Sequence, residues 1–264
     1  MSDIWVVDFK SGPGVYDEAK TQVCTYLKMW NLFEAEIGTG VPRAQRAGVL
    51  RLDKVTGMLD DPPIVEVTDE IERRWNEFLH LREYFRTAIE PHAKQGRWYP
   101  HNGKKFATVT TVLDCLNKPA LPQWAANMTV EYIKEHLPEM NDDGQIEYYL
   151  KKAKTAYRTI GKKAMDIGSI VHDAIHCHLS GGKPEPILEG NDQATNSFLA
   201  FIQWADSVKL KPIALEKVLI DPNHEVGGTC DFIGYAEISP PSSNLSPPSS
   251  GGGISGRGWN ENRR

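Results

Sequence analysis

The feature that most constrains the fold is a strand pattern at residues 4–10, IWVVDFK. A short apolar run of this kind predicts a buried β-strand, and the SGPG sequence at 11–14 ends it. A buried strand must satisfy its backbone hydrogen bonds with neighbouring strands. No strand pattern comes before residue 4 in this sequence, and a helix is predicted over 16–30. The partners of this strand must therefore come from beyond the predicted helix.

The rest of the chain mixes strand and helix patterns. Further strands are predicted at 48–54, 62–68, 213–221 and 226–236. Further helices are predicted at 69–90, 109–117, 122–136, 144–159, 163–179 and 192–207. About five strands interspersed with helices predict an α/β fold.

Two segments lack such patterns. Residues 91–104 are polar and contain helix and strand breakers, so we expect them to form an irregular connection. Residues 238–264 contain SPPSS twice, followed by GGG. A segment of this composition cannot bury enough apolar surface to fold, so we expect a disordered tail.

The composition is that of an ordinary globular protein. The 264 residues are 40% hydrophobic and 25% charged, and no apolar run approaches the roughly 20 residues that span a bilayer. The four cysteines are scattered without a CxxC pair, which disfavours a zinc ribbon or a disulfide scaffold. We therefore expect an intracellular, cytoplasmic protein with reduced thiols and no membrane association.

The charge is unevenly distributed along the chain. The net charge of −5 disfavours a protein that binds nucleic acid over its whole surface. The run KKAKTAYRTIGKK at 151–163 nevertheless holds six basic residues and no acidic one. This run is either a solvated helix face or, beside a site for an anionic substrate, a source of phosphate contacts.

Carboxylates occur within the apolar strand patterns. Alternation places Asp8 and Lys10 on one face of the first strand, where they could reach one phosphate or form a surface ion pair. Asp231 lies inside the apolar pattern VGGTCDFIGYA, and Glu216 lies among apolar residues of the preceding strand. Burying a carboxylate is costly unless it is paired or bound to a metal. Gly228 would let another group approach the backbone closely.

Two helices carry polar residues one turn apart. His172 and His176 share a face of the later helix. The stretch HDAIH resembles the HExxH helix of zinc peptidases with Asp173 in place of glutamate, which leaves a zinc site as an alternative. Gln22 and Tyr26 share a face of the first helix, opposite much of its apolar stripe. Their side chains are suited to hydrogen bonding with a phosphate or a base.

Together these residues resemble the motifs of the PD-(D/E)XK nuclease superfamily, of the RecB-like and phage exonuclease type. Members carry G-x-x-x-H on a helix, a strand with Glu, a G-x-x-D strand, a D-x-K strand and Q-x-x-x-Y on a helix. The matching residues here are Gly168 and His172, Glu216, Gly228 and Asp231, Asp8 and Lys10, and Gln22 and Tyr26. The order is rotated, so the chain resembles a circularly permuted member.

The resemblance implies a restriction-endonuclease-like core, with a central mixed β-sheet flanked by helices and an additional helical segment. In family order, residues 105–237 would supply the helical segment and the first half of the core. Residues 1–90 would supply the second half, and 91–104 would join the ancestral termini. Opening a hairpin in this way implies that strand 4–10 pairs antiparallel with strand 226–236.

The resemblance also implies a function, the metal-dependent hydrolysis of DNA phosphodiester bonds by an exonuclease. Asp8, Asp231, His172 and the backbone carbonyl of Phe9 would bind one or two Mg²⁺ or Mn²⁺ ions. Lys10 would orient the attacking water or stabilise the charge that develops on the phosphate. No iron–sulfur cluster is expected, because the family's clustered cysteine pattern is missing from the sequence.

Further residues receive supporting roles from the same resemblance. Glu216 would be an accessory catalytic carboxylate. Gln22 and Tyr26 would position a DNA strand, single or double, and Lys162 and Lys163 would contact phosphates. A phage or virus in its host cell is one setting for such an enzyme. The alternatives are a non-cleaving nucleic-acid-binding relic of the fold, a zinc metallopeptidase that uses HDAIH, and a site completed by swapping between two chains.

Overall fold

A computed structural model describes residues 3–37, 40, 42–93, 96–116, 118 and 120–238. The predicted tail beyond Ile238 lies outside these residues. The strands within them are β1 (Asp3–Lys10), β2 (Arg46–Arg51), β3 (Ile64–Glu66), β4 (Trp98–His101), β5 (Lys104–Thr108), β6 (Lys211–Asp221) and β7 (Val226–Ala236). The α-helices are α1 (Asp17–Ile37), α2 (Ile71–Tyr84), α3 (Val109–Leu113), α4 (Ala120–His136), α5 (Asp143–Ala153), α6 (Ala156–Leu179), α7 (Glu185–Leu188) and α8 (Asp192–Ser207).

The described strands form one mixed, open sheet in the order β3-β2-β1-β7-β5-β4, with β6 paired to β7. The strand β1 runs parallel to β2 and antiparallel to β7. Its register with β7 sets Asp3 opposite Ala236 and Val7 opposite Phe232. The predicted antiparallel pairing of these two distant segments is therefore confirmed, and so is the α/β class.

The strands β1 and β5 share one edge of β7, while β6 occupies the other edge. The strand β5 pairs with the start of β7, at Val226 and Gly227. The strand β1 pairs with its later half, from Phe232 to Ala236. Between these two ladders, the edge of β7 from Thr229 to Asp231 has no strand partner among the described residues. The sheet therefore opens at this point, and the C-terminal end of β1 lies beside the opening.

Helices cover both faces of the sheet because its central strand is apolar on both sides. From β1, Val6 packs into a core shared with α1, α2 and α3. On the opposite face, Trp5, Val7 and Phe9 pack against α6 and α8. This division agrees with the alternation predicted for IWVVDFK. Since α1 and α6 lie on opposite faces, residues from both helices can reach the end of β1.

The segment 91–104, predicted to be an irregular connection, was assigned wrongly. Residues 98–108 form the hairpin of β4 and β5 instead. Its turn is Asn102-Gly103, and both residues have positive φ, at 48° and 78°. Asn-Gly favours this turn because both residues tolerate left-handed backbone. The polar and aromatic residues on either side hid the hairpin from the strand pattern.

Several predicted boundaries also differ. The break expected at 160–162 lies at 154–155 instead, and α6 runs without interruption through Gly161 to its histidines. Gly161 is tolerated in this helix because its open side faces the ring of Trp124. The first helix is longer than predicted, whereas β2, β3 and α3 are shorter.

The helices α4 and α5 pack with the first half of α6, away from the sheet. No residue of α4 is buried. Within the described residues, no helix has the length and apolar character needed to cross a membrane.

Candidate metal centre

The opening in the sheet brings Asp231 to the end of β1. The backbone N–H of Phe9 donates a hydrogen bond of 3.0 Å to Oδ2 of Asp231. This bond replaces the next rung of the β1–β7 ladder, which ends at Val7 and Phe232. It joins two strands that are more than two hundred residues apart in sequence, and it fixes one carboxylate oxygen at the strand end.

The imidazole of His172 also lies at the end of β1. Its helix, α6, packs on the face of the sheet opposite α1. Its Nε2 lies 3.0 Å from the carbonyl oxygen of Phe9. Its Nδ1 lies 3.7 Å from Oδ2 of Asp231. One turn earlier, Gly168 leaves room for the loop after β1, because a Cβ there would lie 3.3 Å from Oγ of Ser11. The glycine thus lets the helix approach closely enough for His172 to reach the strand end.

Asp8 and Lys10 form an ion pair at the end of β1. Nζ of Lys10 lies 2.8 Å from Oδ2 of Asp8, with the Asp8 side chain 3% exposed and the Lys10 side chain 34% exposed. Oδ1 of Asp8 is buried without a hydrogen-bond donor among the described residues. Lys10 therefore faces the opening, while Asp8 lies beneath it with one oxygen unsatisfied.

Burial shapes the acid–base properties of this cluster. It raises the pKa of the Asp8 carboxyl from 3.8 to about 6; the Lys10 ammonium opposes this rise and the Asp231 carboxylate adds to it. Burial also raises the pKa of Asp231, against the opposing effects of His172 and Lys10. For Lys10, burial acts to lower the pKa, but Asp8 and Asp231 together raise it. For both carboxylates, burial therefore outweighs the opposing effects of Lys10 and His172.

A hard divalent cation fits these donors. Burying two carboxylates side by side is costly unless a positive charge lies between them. The carboxylates of Asp231 and Glu216, the Phe9 carbonyl and the His172 imidazole supply the oxygen-rich set, with one nitrogen, that Mg²⁺ or Mn²⁺ accepts. Asp8 lies outside this group of three side chains, and its unsatisfied oxygen adds a buried carboxylate beside it. His172, Asp231 and Glu216 each offer a ligand atom, and these atoms lie within 4.8 Å of one another.

Glu216 takes part in this cluster in an unexpected way. The β6–β7 register pairs Leu215 with Phe232 and Lys217 with Cys230, which sets Glu216 opposite Asp231. Its side chain is exposed, so the apolar setting predicted from the sequence is wrong. Its φ is +45°, a left-handed backbone that is strained for a glutamate. Strain of this kind is typical of residues held in place for function.

Gln22 and Tyr26 lie behind Asp231. Nε2 of Gln22 donates a hydrogen bond of 3.3 Å to the hydroxyl of Tyr26. The expectation that Tyr26 lies away from the apolar stripe of α1 is wrong. Its ring is buried in the core that α1, α2 and α3 form with the sheet. The ring packs directly on Gly228, as the prediction of close approach at this glycine requires.

Replacing Gly228 by alanine is expected to destabilise the protein. The new Cβ would lie 2.5 Å from Cε1 of Tyr26, and neither the strand nor the buried ring has room to move. Overpacking of this kind costs about 1–3 kcal/mol. Thermal or urea unfolding should show this loss. The matched control is Gly161→Ala, whose Cβ makes only an ordinary 3.6 Å contact in a helix and should not destabilise. Equal stability of the two variants would contradict the packing described here.

Three other predicted residues lie away from the cluster. Lys162 and Lys163 are exposed on α6, and Lys163 precedes His172 by nine residues, or about 14 Å along the helix axis. His176 is exposed one turn beyond His172. Within the described residues it belongs to no group of three potential metal ligands.

The β4–β5 hairpin contributes residues that the sequence did not reveal. A cavity of about 470 Å³ lies in the opening of the sheet beside Asp231, and Arg97, Tyr99 and Thr229 are among its lining residues. The guanidinium of Arg97 donates a 2.8 Å hydrogen bond to the hydroxyl of Thr110, and the hydroxyls of Tyr99 and Thr229 are hydrogen-bonded to each other. The Asn-Gly turn was the one sequence signal that could have located this hairpin.

Comparison with known proteins identifies no relative. No protein-family model, curated protein or solved structure matches the chain. The case for a function therefore depends on the geometry of this site.

Proposed function

We propose that this protein is a metal-dependent deoxyribonuclease that hydrolyses phosphodiester bonds, acting as an exonuclease. The observation that carries the proposal is that His172, Asp231 and Glu216 place ligand atoms within 4.8 Å of one another at the end of β1, where Lys10 pairs with the buried Asp8 and faces the opening. The buried carboxylate of Asp8, the 12% exposed carboxylate of Asp231, an imidazole and a lysine at the opening of the sheet suit the hydrolysis of an anionic ester.

Asp8, Asp231, His172 and the Phe9 carbonyl would hold one or two Mg²⁺ or Mn²⁺ ions, with Glu216 at the exposed side. A bound divalent ion supplies Lewis-acid polarisation of the phosphate and lowers the pKa of a bound water. The hydrogen bond from the Phe9 N–H orients Asp231 before any ligand arrives. Such preorganisation keeps the carboxylate in place without a cost at the moment of reaction.

Lys10 has a distinct role at the mouth of the site. Its ammonium is held by Asp8 yet remains one-third exposed, so it can contact a bound phosphate or the attacking water. Its raised pKa keeps it protonated near neutral pH, since Asp8 and Asp231 more than compensate for burial. A fixed positive charge stabilises the negative charge that develops on the phosphate during attack.

The arrangement also supports membership of the PD-(D/E)XK superfamily in circularly permuted order. The five motifs, which are scattered along the sequence in rotated order, contribute residues to neighbouring positions around β1 and β7. The pairing of Asp3 with Ala236 shows that the two ends of the proposed ancestral hairpin lie side by side. A restriction-endonuclease-like core would have this hairpin closed.

Restoring the family order is expected to preserve the fold. A variant would join Ile238 to Asp3 through a short turn in place of residues 239–264 and 1–2, and would open the chain at 94–95. Because Asp3 and Ala236 are already paired, the join requires no rearrangement, and we expect cooperative unfolding and metal-dependent activity to persist. A matched variant opened at the buried Phe201 of α8 should not fold. Failure of the restored order to fold would contradict the permutation.

The proposed activity can be tested on end-labelled DNA. Linear and circular molecules, single- and double-stranded, are incubated with the purified protein in Mg²⁺, in Mn²⁺ and in EDTA. We expect linear DNA to be degraded in either metal and spared in EDTA, with circular DNA resistant. Binding without cleavage would show instead a non-cleaving relic of the fold. Cleavage of a protein substrate that depends on Zn²⁺ would favour the peptidase alternative.

A further inference from the structure

A long groove begins next to Lys10 and runs between the sheet and the helical segment. It encloses about 900 Å³. One wall is the loop that follows β1, including Ser11 and Tyr16, together with the loop around Lys54. The other wall is formed by α4 and the first half of α6, including Trp124 and Ile160. The groove is therefore lined both by loops of the sheet and by the helices α4 and α6.

The α6 wall leads directly to the candidate metal centre. Ile160 and Ala164 line the groove, and Gly168 and His172 continue the same row at four-residue intervals. Residues four apart are neighbours on a helix surface, and the row winds about 120° around the axis while it covers about 18 Å along it. Ser11, which lines the groove beside Lys10, also lies next to Gly168. A chain that lies in the groove would thus reach Lys10 and His172 at its inner end.

Flat and apolar side chains from both walls form the floor of the groove. Tyr16 is 50% exposed and Leu121 is 51% exposed, and the half-buried ring of Trp124 lies next to Gly161 of α6. Aromatic faces of this kind stack on nucleic-acid bases, and the stacking tolerates any base. In a duplex the base faces are covered by their neighbours, so this floor suits a strand whose bases are unpaired.

Exposed positive charge lies on the helical segment beside the groove and on its opposite wall. The run 151–163 has six basic residues, all exposed on α5, α6 and their junction, and none forms an ion pair with a described carboxylate. Lys163 lies three residues beyond Ile160 and so neighbours it on the helix surface. Lys54, on the opposite wall, also has no carboxylate partner among the described residues. Unpaired cations on both sides of an apolar floor complement a phosphate backbone.

The acidic residues of the groove are already engaged. Asp17 pairs with Arg74, and Glu18 lies 3.9 Å from Lys118. Asp53 accepts hydrogen bonds from the backbone N–H groups of the turn that follows it. These interactions offset the repulsion that the three carboxylates would otherwise exert on a phosphate backbone.

We propose that this groove binds a single nucleic-acid strand with unpaired bases and delivers its backbone to Lys10. The inference rests on the proposed nuclease function and assigns that site its substrate class. The bases stack on Tyr16 and Trp124, and the phosphates lie along Lys54 and the basic run of α6. Duplex DNA covers its base faces by internal stacking, so it must be unpaired before its bases can contact Tyr16 and Trp124.

Binding can be measured separately from cleavage. In EDTA, fluorescence anisotropy would follow a labelled oligothymidylate and a labelled hairpin duplex as full-length protein is added. We expect the single strand to bind more tightly than the duplex, and Tyr16→Ala and Trp124→Ala each to weaken its binding roughly ten-fold. The matched control is Tyr84→Ala, which removes a similarly exposed ring (57%) from α2, outside the groove, and should bind as the wild type does.

The outcomes separate this proposal from the nuclease function. Because Tyr16 is half exposed, its replacement should leave the fold intact even if Trp124→Ala unfolds. Wild-type binding of the single strand by Tyr16→Ala, or equal binding of strand and duplex, would overturn the groove proposal whether or not DNA is cleaved. Groove-dependent binding of the strand without cleavage in Mn²⁺ would uphold the groove and overturn the nuclease.

Discussion

Replacing Asp231 by asparagine is expected to reduce metal-dependent DNA cleavage by about 10³-fold or more. The substitution keeps the shape of the side chain and a hydrogen-bond acceptor for Phe9, but it removes the charge that a divalent ion requires. Asp8→Asn is expected to have a similar effect, because Asp8 supplies the second buried carboxylate. Initial rates on linear DNA, measured in saturating Mg²⁺ and Mn²⁺, would show both losses.

Two further variants make this test specific. Asp173→Asn alters an exposed carboxylate next to His172 on the same helix, and it should retain the wild-type rate. This control also bears on the zinc-peptidase alternative, because such an enzyme would need Asp173 of the HDAIH sequence as its base. Lys10→Met should lower the rate by roughly 10²–10³-fold with metal affinity retained, because Lys10 acts on the phosphate or the water. Wild-type rates in Asp231→Asn would remove the basis of the proposed function.

The second large effect is a dependence of stability on pH that arises from Asp8. Burial raises the pKa of this group from 3.8 to about 6, so the folded protein binds a proton that the unfolded chain releases between these values. The free energy of unfolding of the metal-free protein should therefore fall as pH rises from about 4 to about 6. A pKa change of this size corresponds to about 3 kcal/mol.

The contribution of Asp8 can be isolated by comparison with Asp8→Asn. The asparagine carries no charge at any pH, so above about pH 6 the metal-free variant should be more stable than the wild type. The difference should vanish near pH 4, where Asp8 is protonated in the folded protein. Urea unfolding in EDTA across this range would measure it. Asp17 cannot produce this effect, because its hydrogen bond with Arg74 lowers the pKa of its carboxyl from the ordinary value of 3.8. Its contribution to the free energy of unfolding therefore changes only below about pH 4. A difference that does not change with pH would contradict a burial of Asp8 that outweighs its ion pair with Lys10.

Much of the sheet centre could be predicted from the sequence because its signals are strong and local. The run IWVVDFK is apolar on both faces, and it occupies the centre of the sheet between β2 and β7. The antiparallel pairing with 226–236 could not come from strand patterns alone, since nothing local links such distant segments. It came from the order of the motifs in a resembling family, and the described register agrees with it.

The errors have physical causes that a single sequence conceals. The environment of Glu216 depends on two features of β6. This strand pairs with β7 outside the strand order β3-β2-β1-β7-β5-β4, and Glu216 itself has a left-handed backbone. Neither feature leaves a pattern in the sequence. Tyr26 was expected to face away from the core, but Gly228 makes space for its ring across the sheet. The hairpin at 98–108 did leave a signal, the pair Asn102-Gly103, which the polar composition of 91–104 obscured.

The candidate site was predicted in part. Asp231, His172 and Glu216 lie within 4.8 Å of one another, and Asp8 pairs with Lys10 at the end of the neighbouring strand, an arrangement that only long-range packing could produce. The groove and the cavity around Arg97 could not be foreseen, because each is formed by elements whose relative positions the sequence does not encode locally. Lys162 and Lys163 were assigned to phosphate contacts, and they are exposed on α6 between Ile160 and Ala164 of the groove lining, away from the metal centre.

The central claim is that the end of β1 binds a divalent cation, and a calorimetric titration tests it most directly. Mn²⁺ would be titrated into the metal-free wild type and into Asp231→Asn, near neutral pH. We predict saturable binding of one or two ions to the wild type, with proton release, and loss of this binding in the variant. Identical Mn²⁺ binding by the two proteins, or no binding by either, would contradict a metal centre at Asp8, Asp231 and His172.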